Sequence, residues 1–152
     1  MATDSRTQKL KDYLLVKRKP SEGGFADVWE AVDQPNKRLV AIKILKQKDA
    51  LNASTVKRFR LEARIGQQFQ HPNIAKVYEI DENQGEHFIV MEYIDGETVK
   101  QLLCQNRLSR DECLRTIRDV LGALDYVHRY RTADVESVVH RDIKSNNIMI
   151  ER

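Results

Sequence analysis

At Asp95-Gly96 the spacing of apolar residues shifts from mostly strand-like to helical, and that shift constrains the fold more than any other feature. Upstream of it, short runs alternate or are β-branched, as strands require. "YLLV" from Tyr13, "FADVWEAVD" with Phe25, Val28 and Ala31 alternating against polar neighbours, and "RLVAIKIL" read as strands. The last two form a hairpin around Gln34-Pro35-Asn36. "NIAKVYEI" and "EHFIVMEYI" add two more strands around a turn at residues 81–85. Between the two strand groups the spacing predicts a helix over 54–70, capped by Ser54 or Thr55 and stopped by His71-Pro72. Its apolar face is Val56, Phe59, Ala63, Gly66 and Phe69.

Downstream of Gly96 the period is helical. A short helix is expected over 98–105, and a long one after the capping box Ser109-x-x-Glu112. Leu114, Ile117, Leu121, Leu124 and Val127 form the long helix's apolar stripe. A polar stretch, "RYRTADVES", follows the long helix. Two brief apolar runs, "VVH" and "IMI", then flank "RDIKSNN". The expected fold is α+β: a polar tail (1–12), a five-stranded antiparallel lobe with one helix (13–94), and a helical part (95–152).

Composition narrows the classes. Net charge is +3, too small and too dispersed to imply nucleic acid or a membrane surface. The one tight basic run, Lys17-Arg18-Lys19, reads as a solvated strand edge. No apolar run approaches the roughly 20 residues that cross a bilayer, and the polar N-terminus has no signal-peptide core. Cys104 and Cys113 form no CxxC pair, which fits a reducing, cytoplasmic setting.

Three stretches carry chemistry. In "SEGGFADV", Gly23 and Gly24 either let backbone amides approach a phosphate or simply make a hairpin turn. Lys43, in "VAIK", shares its strand face with Ala41 and Leu45, and points either to solvent or into a cleft. If buried it needs a carboxylate, because an unpaired buried charge is too costly. Glu62, beside the helix's apolar stripe, is the candidate; an exposed glutamate is the alternative. Asp142, Lys144 and Asn147 place an acid, a cation and an amide within six residues, either around one reacting centre or in an ordinary polar turn.

The order of these pieces along the chain resembles the serine/threonine protein kinase family. The matching stretches are "EGGFADV", "VAIK", "FRLEAR", "HPNI", "FIVMEYIDGET" and "HRDIKSNN". They run from Tyr13 to Ile150. The resemblance implies a kinase-like fold, ATP and magnesium as cofactors, and a protein Ser or Thr hydroxyl as acceptor. It implies that Ser21, Glu22, Gly23, Gly24, Phe25 and Ala26 form the loop over the phosphates, and that Val28 and Ala41 pack on the adenine. Met91 would stand at the back of the nucleotide site, and the backbone of Glu92 and Ile94 would meet the adenine edge. Lys43 would hold the phosphates with Glu62 as its ion-pair partner. Asp142 would accept or orient the substrate proton, Lys144 would steady the transferred phosphoryl group, and Asn147 would ligate magnesium. Lys144 points to Ser or Thr rather than Tyr acceptors.

The chain departs from the family pattern in three ways. Between His128 and His140 it carries about half a dozen residues more than family members usually do, so "RYRTADVES" is expected to bulge outward as a surface loop. Ser21 and Ala26 stand where the family's first and third loop glycines stand. No Asp-Phe-Gly motif or activation segment follows the catalytic loop, so the resemblance covers the front of the domain. The chain is therefore expected to be a truncated kinase domain, with a catalytically inert nucleotide- or partner-binding module as the alternative. The stripe Leu114, Ile117, Leu121 and Leu124 is expected to be wet or covered by a protein partner.

Overall fold

A computed structural model of the chain describes residues 8–19, 24–131, 138, 140 and 142–151. Two units form. One runs through Gln68 and resumes over Ala75–Tyr93; the other holds Phe69–Ile74 and continues from Ile94.

In the first unit the period-2 segments pair into one antiparallel sheet. Its strands are β1 (Gln8–Leu10), β2 (Tyr13–Lys19), β3 (Ala26–Asp33), β4 (Arg38–Leu45), β5 (Val77–Asn83) and β6 (Glu86–Glu92). Their order is β1-β2-β3-β4-β6-β5, six strands rather than the expected five. The extra strand, β1, falls in the stretch read as a polar tail. Its three residues carry one apolar side chain, Leu10, too little for a pattern to register, yet Leu10 is 2% exposed. The β3–β4 turn is held by Asp33, which accepts from Asn36 N (3.2 Å), Asn36 Nδ2 (2.9 Å) and Arg38 Nε (3.1 Å). Gln84 and Gly85, both at positive φ, make the two-residue turn between β5 and β6.

Successive strand residues face opposite sides, so the register sorts the sheet into two faces. Val28 pairs with Lys43 and Lys43 with Ile89; Glu30 pairs with Ala41 and Ala41 with Met91. One face therefore carries Ala26, Val28, Ala41, Lys43, Leu45, Ile89 and Met91. The other carries Ala31, Val40, Ile42, Phe88 and Val90, buried together with Leu10, Tyr13 and Leu15. The sheet curls around this second cluster. Tyr13 of β2 meets Phe88 of β6 edge-on, with centroids 6.2 Å apart. Across the curl, Tyr13 Oη donates to Glu79 Oε2 (2.6 Å), and Lys11 Nζ bonds Glu79 Oε1 (2.9 Å) and Asp81.

The helix α2 (Ala53–Gly66) packs on the first face. It buries Phe59 and Ala63 against Ala26, Leu45 and Ile89. A one-turn helix, α1 (Gln47–Ala50), precedes it, so the lobe has two helices rather than one. The cap of α2 is Asn52, not Ser54 or Thr55: its Oδ1 accepts from both of their amides, at 3.0 and 3.2 Å. A Cβ at Gly66 would lie 3.2 Å from Val77 Cγ2, so the helix ends where it approaches β5 closely. It stops before His71-Pro72, and Phe69 lies beyond it.

The second unit contains β7 (Gly96–Thr98), α3 (Val99–Cys104), α4 (Arg110–Arg129) and β8 (Met149–Glu151). Thr98 and Ser109 each complete a capping box, with Gln101 and Glu112 respectively. The "HPNI" segment packs on α4. Phe69 meets Tyr126 and Tyr130 edge-on (6.1 and 5.2 Å), His71 lies 5.3 Å from Tyr126, and Gln70 N donates to Tyr126 Oη (3.0 Å). Helix α4 buries Ala123 and Val127, while Leu114, Ile117 and Leu121 are 57, 56 and 59% exposed. Leu124 is half-buried, so three residues of the expected stripe are wet rather than four. No helix of the described residues is long and apolar enough to cross a membrane. Most of the "RYRTADVES" loop lies outside the described residues.

Candidate active site

Lys43 is half-buried on the sheet face that α2 covers. Its Nζ sits 5.1 Å from the Phe25 ring centroid and 5.8 Å from that of Phe59, within cation–π range of both. The two rings meet edge-on at 6.3 Å, so β4, α2 and the end of the glycine loop together build the lysine's seat. Glu62 lies one residue before buried Ala63 and is exposed. A carboxylate in water contributes on the exposed-pair scale of about 0–1 kcal/mol, so the larger penalty expected of a buried pair does not apply.

Of the loop residues, Ser21, Glu22 and Gly23 lie outside the described residues. Gly24 and Phe25 are tied to Lys46: its Nζ donates to Gly24 O (2.5 Å) and its amide to Phe25 O (2.9 Å). A Cβ at Gly24 would meet only ordinary contacts, at 3.8 and 3.9 Å from Ala26 O and N. Ala26 is 5% exposed and packs with Leu45 and Phe59. Val28, Ala41 and Met91, which follow one another in register with Lys43, are half-buried on the same face.

Glu92 is more engaged than sequence suggested. Its amide donates to Lys76 O (2.8 Å) and its Oε2 accepts from Lys76 N (3.0 Å). Of its two backbone groups, only the carbonyl is a candidate for an adenine edge. Ile94, half-buried, opens the second unit. Sequence reasoning missed a polar cluster next to Glu92. Tyr93 Oη donates to Glu30 Oε2 (3.3 Å), and Lys19 Nζ lies 3.3 Å from the same oxygen and over the Tyr93 ring at 5.3 Å. Its members come from three separate segments, and no local pattern joins them.

In the second unit Asp142, Lys144 and Asn147 do converge. Lys144 Nζ donates to Asp142 Oδ1 (2.9 Å). Asn147 Nδ2 donates to Asp142 Oδ2 (2.8 Å) and to Asp142 O (2.9 Å). His140 Nδ1 accepts from the Asp142 amide (3.3 Å), a scaffold contact. The Lys144 hydrogen bond first, and that of Asn147 second, hold the Asp142 carboxyl below the usual aspartate range. The group is exposed and ionised at neutral pH. Because Asn147 donates through Nδ2, its Oδ1 faces no such demand and is free in chemistry to meet a cation. Among the described residues no three His, Cys, Asp or Glu side chains cluster as a metal cage.

The loop is anchored from both sides. A 3-10 turn over Ser145–Asn147 closes with Asn147 N on Lys144 O (2.9 Å), and Val99 N donates to Ile148 O (2.9 Å). β8 then pairs antiparallel with β7. A Cβ at Gly96 would fall 2.1 Å from Ile150 O, so this pairing requires glycine there.

A curled antiparallel lobe with a strand lysine, followed by a helical unit that holds an Asp-Lys-Asn loop, is the arrangement of a kinase-like fold. The protein kinase domain description matches residues 16–152, and the chain belongs to the protein kinase family. It is 34% identical over 140 residues to a probable serine/threonine-protein kinase, PknB, of Lactococcus lactis, which covers 91% of this chain and 21% of that protein. It is 37% identical over 130 residues to the serine/threonine-protein kinase PrkC of Bacillus subtilis, covering 85% and 19%. The chain thus spans about a fifth of the length of these curated relatives. Among solved structures it superposes on the Mycobacterium tuberculosis PknI kinase domain with a TM-score of 0.77 at 25% identity, covering 99% of this chain and 60% of that one. The apo form of PpkA-294 gives 0.79 at 22% identity, covering 95% and 56%.

Proposed function

We propose that this chain supplies the nucleotide-holding lobe and the catalytic loop of a serine/threonine protein kinase. The reaction moves the terminal phosphoryl group of ATP to a protein Ser or Thr hydroxyl. The observation that carries this reading is the Asp142 carboxylate, held ionised between Lys144 and Asn147 in an anchored loop.

In this reading Lys43 holds the α- and β-phosphates, and Glu62 reaches toward it from the exposed flank of α2. Residues 21–26 cover the phosphates, with Phe25 above them. Val28 and Ala41 pack on the adenine and Met91 lines the back. The Glu92 carbonyl and the Ile94 amide take the adenine edge. The acceptor oxygen forms a bond to phosphorus as the bridging oxygen–phosphorus bond of ATP breaks and ADP leaves, and the hydroxyl proton passes to the Asp142 carboxylate or to an oxygen of the transferred phosphoryl group. Asp142, a weak base because its charge is already stabilised, orients that hydroxyl. Lys144 steadies the charge on the moving group. Asn147 offers Oδ1 to magnesium, which when bound neutralises phosphate charge.

Ala26, buried where the family has a glycine, favours a second reading: nucleotide or partner binding without transfer. The exposed Leu114, Ile117 and Leu121 support a protein contact in either case. Free Cys104 and Cys113 suit a reducing, cytoplasmic setting.

Calorimetric titration of ATP into the chain, with and without magnesium, tests the nucleotide half. Heat of binding that disappears in Lys43→Ala is expected. Undiminished binding in that variant moves the nucleotide elsewhere.

A further inference from the structure

Helix α2 presents a buried ring to Lys43. Phe59 is 1% exposed and packs among Ala26, Leu45, Ala63 and Ile89. Its ring centroid lies 5.8 Å from Lys43 Nζ, with the Nζ over the ring. Phe25 brings a second ring to 5.1 Å, at 87° to the first. Both rings are held. Phe59 is wedged in the core, and around Phe25 the chain is tied to Lys46 through Phe25 O and Gly24 O. The face of an aromatic ring carries partial negative charge, so it attracts an ammonium without neutralising it. A carboxylate partner would cancel much of that charge. On this side of the helix Lys43 therefore meets a partner that orients it and leaves its charge available to an anion. Glu62, on the same helix, is exposed.

We propose that Phe59 is a positioning residue for Lys43: its ring holds the ammonium by a cation–π contact, in place before the phosphates of a nucleotide arrive. The inference rests on the reading of Lys43 as the group that holds those phosphates. A lysine side chain gives up considerable rotamer freedom when a ligand orders it, and a side chain ordered beforehand lowers that cost. Phe59 acts through Lys43. Because Phe59 is fixed to α2, the position of that helix passes directly to the ammonium. A ring that only fills the core would act through size and shape alone. A ring that holds a cation depends as well on the charge of its face.

The test replaces Phe59 of the 152-residue chain with mono-, di- and trifluorinated phenylalanine, which drain charge from the ring face while changing its size little. Affinity for magnesium-ATP, read by calorimetry, is expected to fall stepwise, by about three- to tenfold in all at the trifluorinated ring. The same replacements at Phe88, buried on the opposite face of the sheet, should leave affinity within about twofold, since that ring holds no cation. NMR of the lysine ε-methylene protons gives a reading that needs no nucleotide. Those of Lys43, assigned by their loss in Lys43→Arg, should lie upfield of the solvated lysines because of the ring currents, and Phe59→Leu should move them part of the way back. Should a fluorinated chain fail to fold, the Lys43 shift in the unaltered chain decides. No ATP binding by the unaltered chain defeats the nucleotide reading and this inference with it. Binding that ignores fluorine at position 59, or responds equally at position 88, overturns the inference alone, as do Lys43 protons that coincide with those of solvated lysines.

Discussion

Asp142 is where charge and geometry meet most closely. Its lowered pKa rests first on the Lys144 hydrogen bond and then on Asn147. Replacing Lys144 by Met should therefore move the carboxyl's midpoint upward, toward the ordinary value of about 3.9. A carboxyl-detected NMR titration reads this directly; an unmoved midpoint would mean that the lysine does not hold the charge. The group remains ionised at neutral pH in both forms, so any rate lost in Lys144→Met reports charge stabilisation rather than protonation. Gly24 offers a contrasting case. Its position leaves room for a methyl group, so Gly24→Ala should leave the melting temperature within about 1–2 °C, well inside the shift that 1 kcal/mol produces. ATP affinity should nevertheless fall if backbone at this point approaches phosphate. Unchanged affinity would remove Gly24 from the nucleotide site. The motif that singled out Asp142, Lys144 and Asn147 is one whose residues do meet in the structure. The exposure of Glu62, the engaged amide of Glu92 and the Tyr93–Glu30–Lys19 cluster were not legible in the sequence, because each depends on partners distant in sequence.

Among the elements, those with strong periodicity were readable and the short ones were not. The capping box at Ser109 and Glu112 opens α4 as the sequence indicates. β1, β7 and β8 span three residues each and carry almost no pattern, so pairing alone defines them. β7 and β8 matter most for function, since their pairing fixes the chain immediately after Asn147. Gly96→Ala forces a Cβ to 2.1 Å from the Ile150 carbonyl. A cost of roughly 1–3 kcal/mol is expected, the usual range for overpacking. Amide exchange should speed up at residues 96–98 and 149–151 while β2–β4 stay protected. Unchanged exchange at both strands would show that the pairing tolerates the extra carbon. The early end of α2 has a similar cause. Its helical pattern continues to Phe69, but Phe69 packs with Tyr126 and Tyr130 instead, a tertiary contact that overrides local period.

For the molecule as a whole, the two units differ in how much they bury. Among the described residues, the buried apolar ones of the second unit are Leu102, Ala123 and Val127, against thirteen in the first. Opening free energy follows buried contact, so native-state hydrogen exchange should show the strands of the first unit exchanging slowest and α4 opening well below them. Equal protection of α4 and β4 would contradict this. The shift of period expected at Asp95-Gly96 lies next to Ile94, where the second unit resumes. The return of Phe69–Ile74 to the second unit was invisible to it, since that segment carries no period of its own. The central claim concerns chemistry, and it is tested most directly by phosphoryl transfer from labelled ATP to a serine peptide, using the product of the whole open reading frame. Transfer is expected, falling by about 10²–10⁴ in Asp142→Asn; no transfer despite magnesium-dependent ATP binding, or transfer undiminished in that variant, would contradict it.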